Sequence, residues 1–169
     1  MKTLIKRLRK ANVSKSLINW IKDQNTNNIE TLIKRLAKKD LTTAMNLAAF
    51  LVPERQRSKF TFDLLNYLIA NIKFKNKVAK ILAETVASWV KRCKAKELFH
   101  LLYSYSYMIH FRTTEGIARD YLILIAASYM FYPADALFRL VKNAEPYLKA
   151  NTLKKKIINL ALKYNKRSK

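Results

Sequence analysis

Thr3-Leu4-Ile5-Lys6-Arg7-Leu8 returns letter for letter as Thr31-Leu32-Ile33-Lys34-Arg35-Leu36. Identity over six residues at a separation of 28, in a chain of only 169, marks an internal repeat. Self-similarity at this period is the signature of stacked supersecondary units. At about 100° per residue, Leu4, Ile5 and Leu8 share one side of a helix, while Lys2, Lys6, Arg7, Arg9 and Lys10 spread over the other. The second copy sets Leu32, Ile33 and Leu36 against Lys34, Arg35 and Lys38 in the same way. Each copy therefore reads as the first helix of a two-helix unit, apolar on one face and cationic on the other.

Composition extends this to the whole chain. One glycine, Gly116, and three prolines are too few for a turn-dense β fold, and a hydrophobic content of 50% argues against disorder. The predicted fold is all-α, with about ten helices in antiparallel hairpins forming a short α-solenoid or an irregular helical bundle. A single domain, residues 1–169, accounts for the length.

In chain order, the first hairpin spans 2–24. Its first helix ends near Asn12, Ser14 caps the second, and Val13 and Ile18 stand at hydrophobic-staple spacing. Leu17, Ile18 and Ile21 are expected in the core with Trp20 at its edge. Asp23 to Asn28 is a loop, and Asn28 caps the second hairpin, 29–52, whose turn is Lys39 to Thr42 and whose second helix runs from Thr43 to Val52. Pro53 ends that helix because the residue before proline avoids the α region. Glu54 to Lys59 reads as a charged turn.

A looser third unit, 60–93, places Asp63-Leu64-Leu65-Asn66-Tyr67-Leu68 in the repeat frame. It continues with a helix from about Lys75 to Cys93 that turns Val78, Ile81, Leu82, Val86, Trp89 and Val90 inward. Fainter echoes at Glu97 and Ala136 give units 96–132 and 134–164, with second helices over Thr114 to Phe131 and Pro146 to Tyr164. Tyr103, Tyr105 and Tyr107 alternate with serines at the period of a strand, but a lone strand has no partner elsewhere, so helix is the reading there. Glu30, Asp63, Glu97, Glu115 and Asp135 fall at or near proposed helix starts, where the helix dipole favours a carboxylate.

The chain carries 34 Lys+Arg against 11 Asp+Glu, a net charge of +23. Balanced charge would solubilise as well with less self-repulsion, so the excess points to a polyanionic partner. Residues 1–39 hold 11 basic and 2 acidic residues, 55–96 hold 11 and 2, and 142–169 hold 9 and 1. Residues 97–141, in contrast, hold 3 and 4, together with 10 of the 19 aromatic residues. The flanks suit phosphate. The near-neutral aromatic block suits burial or self-association, and Tyr103, Phe111 and Tyr132 are the candidate interface residues. The candidate nucleic-acid contacts are Lys6, Arg7, Lys10, Lys34, Arg35, Lys38, Lys75, Lys77, Lys91, Arg92 and Lys94; Lys154-Lys155-Lys156 is a further basic run. Lysine outnumbers arginine, which fits neutralisation of phosphates better than bidentate reading of bases.

Little in the chain carries catalytic chemistry. His100 and His110, ten apart, do not share a helical face at metal-ligand spacing, and the lone Cys93 cannot complete a zinc site or an internal disulfide. No cofactor or metal is expected. One glycine cannot make a phosphate-binding glycine loop. Glu115 and Asp120, near His110 and Arg112, would serve a glycosylase-like enzyme, but read more simply as a first-turn carboxylate and a surface ion-pair partner. The longest apolar run, Tyr121 to Tyr132, is about a dozen residues, short of a membrane span. The charged N-terminus has no apolar secretory core, so the chain reads as intracellular, in the cytoplasm or in a virion, and not secreted.

The paired-helix pattern resembles α-hairpin repeat proteins of the HEAT or TPR kind. The resemblance is architectural, since the Trp, Gly and Pro signature of TPR units is absent, and it implies stacked hairpins without implying an activity. In size, helicity and charge the chain is also similar to viral nucleocapsid proteins and to small subunits of CRISPR ribonucleoprotein effectors. The expected function is non-enzymatic binding of DNA or RNA through the phosphate backbone, with low sequence specificity, as a coating or scaffolding subunit that self-assembles or docks to a larger complex. The alternatives are a helical-repeat DNA-processing enzyme and an adaptor for an acidic protein.

Overall fold

The computed structural model describes residues 2–10, 13–73, 77–92, 123, 125–129 and 133–166. Among them lie eight α-helices: α1 (Lys2–Lys10), α2 (Lys15–Asp23), α3 (Ile29–Lys39), α4 (Leu41–Phe50), α5 (Glu54–Asn71), α6 (Lys77–Arg92), α7 (Pro133–Ala144) and α8 (Ala150–Lys166). Residues 125–128 are helical as well. Every regular element among the described residues is helical, and the fold is all-α. The chain divides into two compact units, Met1–Ala44 and Met45–Lys169, with the division falling inside α4.

In the first unit α1 packs against α2. Leu4 and Leu8 of the first repeat copy are buried, as are Leu32, Ile33 and Leu36 of the second; Ile5 is half-buried where its counterpart Ile33 is fully covered. The caps follow the sequence. Ser14 Oγ accepts from the Leu17 amide at 3.3 Å and Asn28 Oδ1 from the Thr31 amide at 3.1 Å, each satisfying a first-turn donor that has no partner within the helix. Asn25, in the loop between them, takes φ 44°, a conformation asparagine tolerates. Ile18 and Ile21 are buried, with Leu17 and Trp20 half-buried.

The turn into α4 is tighter than the expected Lys39–Thr42. Asp40 alone separates α3 from α4: its Oδ1 accepts from the amides of Thr42 (2.9 Å) and Thr43 (3.0 Å), and its Oδ2 from the Thr43 hydroxyl (2.6 Å). A carboxylate that satisfies this much of the first turn starts the helix at Leu41 rather than Thr43.

In the second unit α5 lies between α6 and α8, and α7 packs on α8. The α5–α6 pair is antiparallel, since Ser58 near the start of α5 donates to the Val90 carbonyl near the end of α6 at 2.6 Å. The α5–α8 pair is antiparallel too: Asp63 meets Lys163 and Tyr164, whereas Tyr67 lies under Lys156. Contact between helices a hundred residues apart closes a bundle, because a one-dimensional stack joins only neighbouring repeats. At its centre Phe60 is fully buried, with the Tyr129 ring 4.6 Å away and tilted 42°, and the Tyr164 ring 6.4 Å away, edge-on at 79°. The Tyr129 hydroxyl donates to the Ala49 carbonyl at 2.6 Å, in the last turn of α4, where carbonyls lack a partner within the helix. Burial pushes the pKa of that hydroxyl far above its ordinary value, against a weaker opposing effect of Arg57.

Several expectations are corrected here. Glu54 to Lys59 is not a turn but the beginning of α5: these polar residues are mostly strong helix formers, and Glu54 occupies the first turn directly after Pro53. Asp63 consequently sits in the middle of a helix, not near its start. Leu64, Leu65 and Leu68 are nevertheless buried, as the repeat frame requires. Ile81, expected in the core, is 51% exposed, because α6 buries Ala83, Val86, Ala87 and Val90 instead. Ile81 falls on the opposite side of α6 from these four, roughly 160° from Ala83 on the helical wheel. Trp89 is half-buried, and the last helix starts at Ala150, not Pro146, since 145–148 form a turn. The readings of Asn12, Leu101 to Phe111 and Thr114 to Asp120 lie outside the described residues, as do those of the Val78 and Leu82 side chains.

Three substitutions test this packing in urea melts. Leu36→Ala should cost roughly 2–5 kcal/mol, whereas Ile81→Ala should stay within about 0.5 kcal/mol of the parent. Tyr129→Phe should cost about 1–2 kcal/mol, because it removes one buried hydrogen bond and leaves the ring in place.

Candidate functional site

Among the described residues of the second unit, the exposed face of α5 brings cations and aromatic rings together. At 3–4 residue spacing it presents Arg55, Lys59, Phe62, Asp63, Asn66, Tyr67 and Ala70, while Phe60, Thr61, Leu64, Leu65 and Leu68 point into the core. Phe62 is on the shoulder nearer α6, and Asp63 and Tyr67 are on the shoulder nearer α8. From α6 the Lys91 ammonium stands 5.2 Å from the centroid of the Phe62 ring. From α8 the Lys156 ammonium stands 5.0 Å from that of Tyr67. Both distances are within cation–π range, and both rings are half-buried. Lys80 lies on the same stripe of α6 as Lys91 and pairs with Glu84 at 3.9 Å.

Asp63 anchors the α8 shoulder. Its Oδ2 accepts from Lys163 Nζ and from the Tyr164 hydroxyl, each at 2.7 Å. Partial burial alone would raise its pKa, but the hydrogen bonds from Lys163 and Tyr164 and the charges of Lys163 and Lys156 prevail and hold it below the ordinary carboxylate value. The hydrogen bond from Lys163 to Asp63 raises the pKa of Lys163; burial, then the hydrogen bond from its own hydroxyl to Asp63, raises the pKa of Tyr164. The face thus carries Arg55, Lys59, Lys80, Lys91, Lys156 and Lys163 against two carboxylates, Asp63 and Glu84, each already ion-paired.

The cations singled out in the sequence are distributed over both units. Lys6, Lys34, Arg35, Lys38, Lys91 and Arg92 are exposed. Lys34 pairs with Glu30 at 2.8 Å, one turn away, and Arg35 Nη1 donates to the Gln24 carbonyl at 3.0 Å, so neither stands free. Lys38, four residues from Lys34 on α3, and Lys6 on α1 have no carboxylate partner among the described residues. The side chains of Arg7, Lys10 and Lys77 lie outside the described residues, as do Lys75, Lys94, Tyr103, Phe111 and Tyr132 and the candidate catalytic residues Glu115 and Asp120.

Sequence reasoning missed Phe62, Tyr67 and Lys163. The signal was there in Lys59-x-x-Phe62-Asp63-x-x-Asn66-Tyr67, a helical stripe that loses its cations Arg55 and Lys59 once residues 54–59 are read as a turn. Among the described residues no group of three His, Cys, Asp or Glu could hold a metal ion, and no helix is long and apolar enough to cross a membrane. No protein-family model matches the chain, and no curated protein or solved structure is found to be similar to it.

The Asp63 cluster makes a pH-dependent contribution to stability. The depressed carboxylate stabilises above its ordinary pKa and loses that contribution as pH falls below about 4, through its folded value. The raised Lys163 and Tyr164 stabilise below about 10 and lose their contribution as pH rises past their ordinary values. Thermal melts across pH should therefore show Asp63→Asn costing about 1 kcal/mol at neutral pH and narrowing its deficit at both extremes.

Proposed function

We propose that this chain is a non-enzymatic nucleic-acid-binding protein that coats or scaffolds DNA or RNA through phosphate contacts, as a subunit of a nucleoprotein or ribonucleoprotein. The observation that carries this reading is the disposition of charge on the helices. In the first unit Lys6 and Arg9 on α1, Lys15 and Lys22 on α2, and Lys38 and Lys39 on α3 are exposed. Of the acids nearby, Glu30 pairs with Lys34 and Asp40 caps α4. The acids are largely used within the fold, and the cations face water. Lysines on solvent-facing helix surfaces neutralise phosphates as point charges and read no sequence.

The test is a binding series over salt with DNA and RNA ligands. Each neutralised phosphate releases counterions, so log affinity should fall linearly with log salt, with a slope of about −5 on duplex DNA for about six contacts. Changing Lys6 and Lys38 to glutamine together should flatten that slope by up to about two and weaken binding to all sequences alike. A salt-insensitive interaction, or a loss confined to one sequence, would refute the reading.

A further inference from the structure

We infer that the outward face of α5, with its flanks from α6 and α8, seats a single-stranded nucleic acid: Phe62 and Tyr67 stack on its bases while Lys59, Lys91, Lys156 and Lys163 hold its phosphates. The inference rests on the function proposed above and adds to it a site and a strand preference.

The rings carry the argument. Phosphate binding alone needs no aromatic surface, yet this cationic face exposes part of two rings, one on each shoulder of α5. The side chains are five residues apart, about 7.5 Å along the helix axis at 1.5 Å per residue. Successive bases in a duplex strand stand 3.4 Å apart and cover each other's faces, so a duplex has no base face to offer either ring. A single strand can splay its bases, and stacking on aromatic side chains tolerates any base because every base has a π-face. That tolerance agrees with a surface rich in lysine and poor in the bidentate donors that read base edges.

The lysines supply the second part. Lys91 and Lys156 already stand over the two ring faces at 5.2 and 5.0 Å, contacts that are weak at exposed sites. An arriving base takes the place of the ammonium on the ring, and the flexible lysine stem carries the charge outward to the adjoining phosphate. Lys59, exposed between the shoulders and without a carboxylate partner among the described residues, lies on the path a backbone would follow. The charge complements a polyanion along the length of the face. The half-buried setting of the rings suits stacking better than insertion into lipid, which needs apolar groups that protrude.

The experiment compares an oligodeoxythymidine strand with a DNA duplex of equal length, using the full chain and four variants: Phe62→Leu, Tyr67→Leu, Tyr67→Phe, and Lys91→Gln with Lys156→Gln. Circular dichroism and melting establish that each variant folds; leucine retains most of the apolar volume, and Tyr67→Phe retains the ring. Phe62→Leu and Tyr67→Leu should each lose about tenfold in affinity for the strand, change duplex binding by less than about twofold, and keep the salt slope. Tyr67→Phe should bind like the parent, and the lysine variant should flatten the slope. Ring variants that bind the strand like the parent, or that lose strand and duplex equally, would overturn this inference while the broader function stands. Preference for phosphatidylserine vesicles over the strand would also overturn it. Failure of the parent to bind either nucleic acid at low salt would overturn both.

Discussion

The second unit depends on the burial of one ring. Phe60 is covered completely and touches Tyr129 and Tyr164, which come from parts of the chain far from it in sequence. Such tilted and edge-on contacts add about 0.5–1.5 kcal/mol per pair to the larger gain from burial. Each tyrosine also brings a hydroxyl that needs a partner. Tyr129 finds the Ala49 carbonyl at the end of α4 and Tyr164 finds Asp63 on α5, so the same cluster orients both apolar packing and polar ties. With Phe60 inward, helical geometry leaves Lys59, Phe62, Asp63 and Tyr67 no choice but the outward face and its shoulders.

The second constraint is charge. A net of +23 on 169 residues opposes compaction, and at about 0.1 M salt the repulsion reaches roughly 10 Å. The fold meets this with few acids, and several of those described serve helix starts or a tertiary tie. Asp40 satisfies the first turn of α4, Glu30 and Glu54 stand in the first turns of α3 and α5, and Asp63 ties α5 to α8. Carboxylates used in this way stabilise helix ends and one tertiary joint. They leave the outer faces cationic, which is how a folded chain retains a large uncompensated charge.

The all-α class and the caps at Ser14 and Asn28 were legible because each depends on local periodicity or on one side chain reaching a backbone amide nearby. Leu8 and Leu36 were legible as core for the same reason. What was not legible depends on partners distant in sequence. The inward face of α6 includes two buried alanines, Ala83 and Ala87, and a periodicity sought in bulky residues passes over small ones. The start of α5 was hidden by its polarity, because strong helix formers and loop residues share charge. The role of Asp63 needed Lys163 and Tyr164, a hundred residues on. Of the candidate site, the cations were readable from composition, but the rings among them became visible only when α5 gained its first turns and its stripe.

Stability and binding are coupled through these same groups. An uncompensated cationic face lowers the stability of the free protein by self-repulsion, and a ligand that binds only the folded state raises it by RT ln(1 + [L]/Kd). On the proposed reading the polyanion supplies the negative charge that the sequence omits from its surface, so the fold is most stable when it is loaded. Asp63 then has a second consequence. By holding Lys163 at 2.7 Å it keeps one cation of the face in place at the joint with α8, while Lys59, Lys91 and Lys156 make no close ion pair among the described residues. A face with one fixed charge and several mobile ones has a defined edge and an adaptable middle. Such an arrangement suits a flexible strand whose phosphates arrive in no single register.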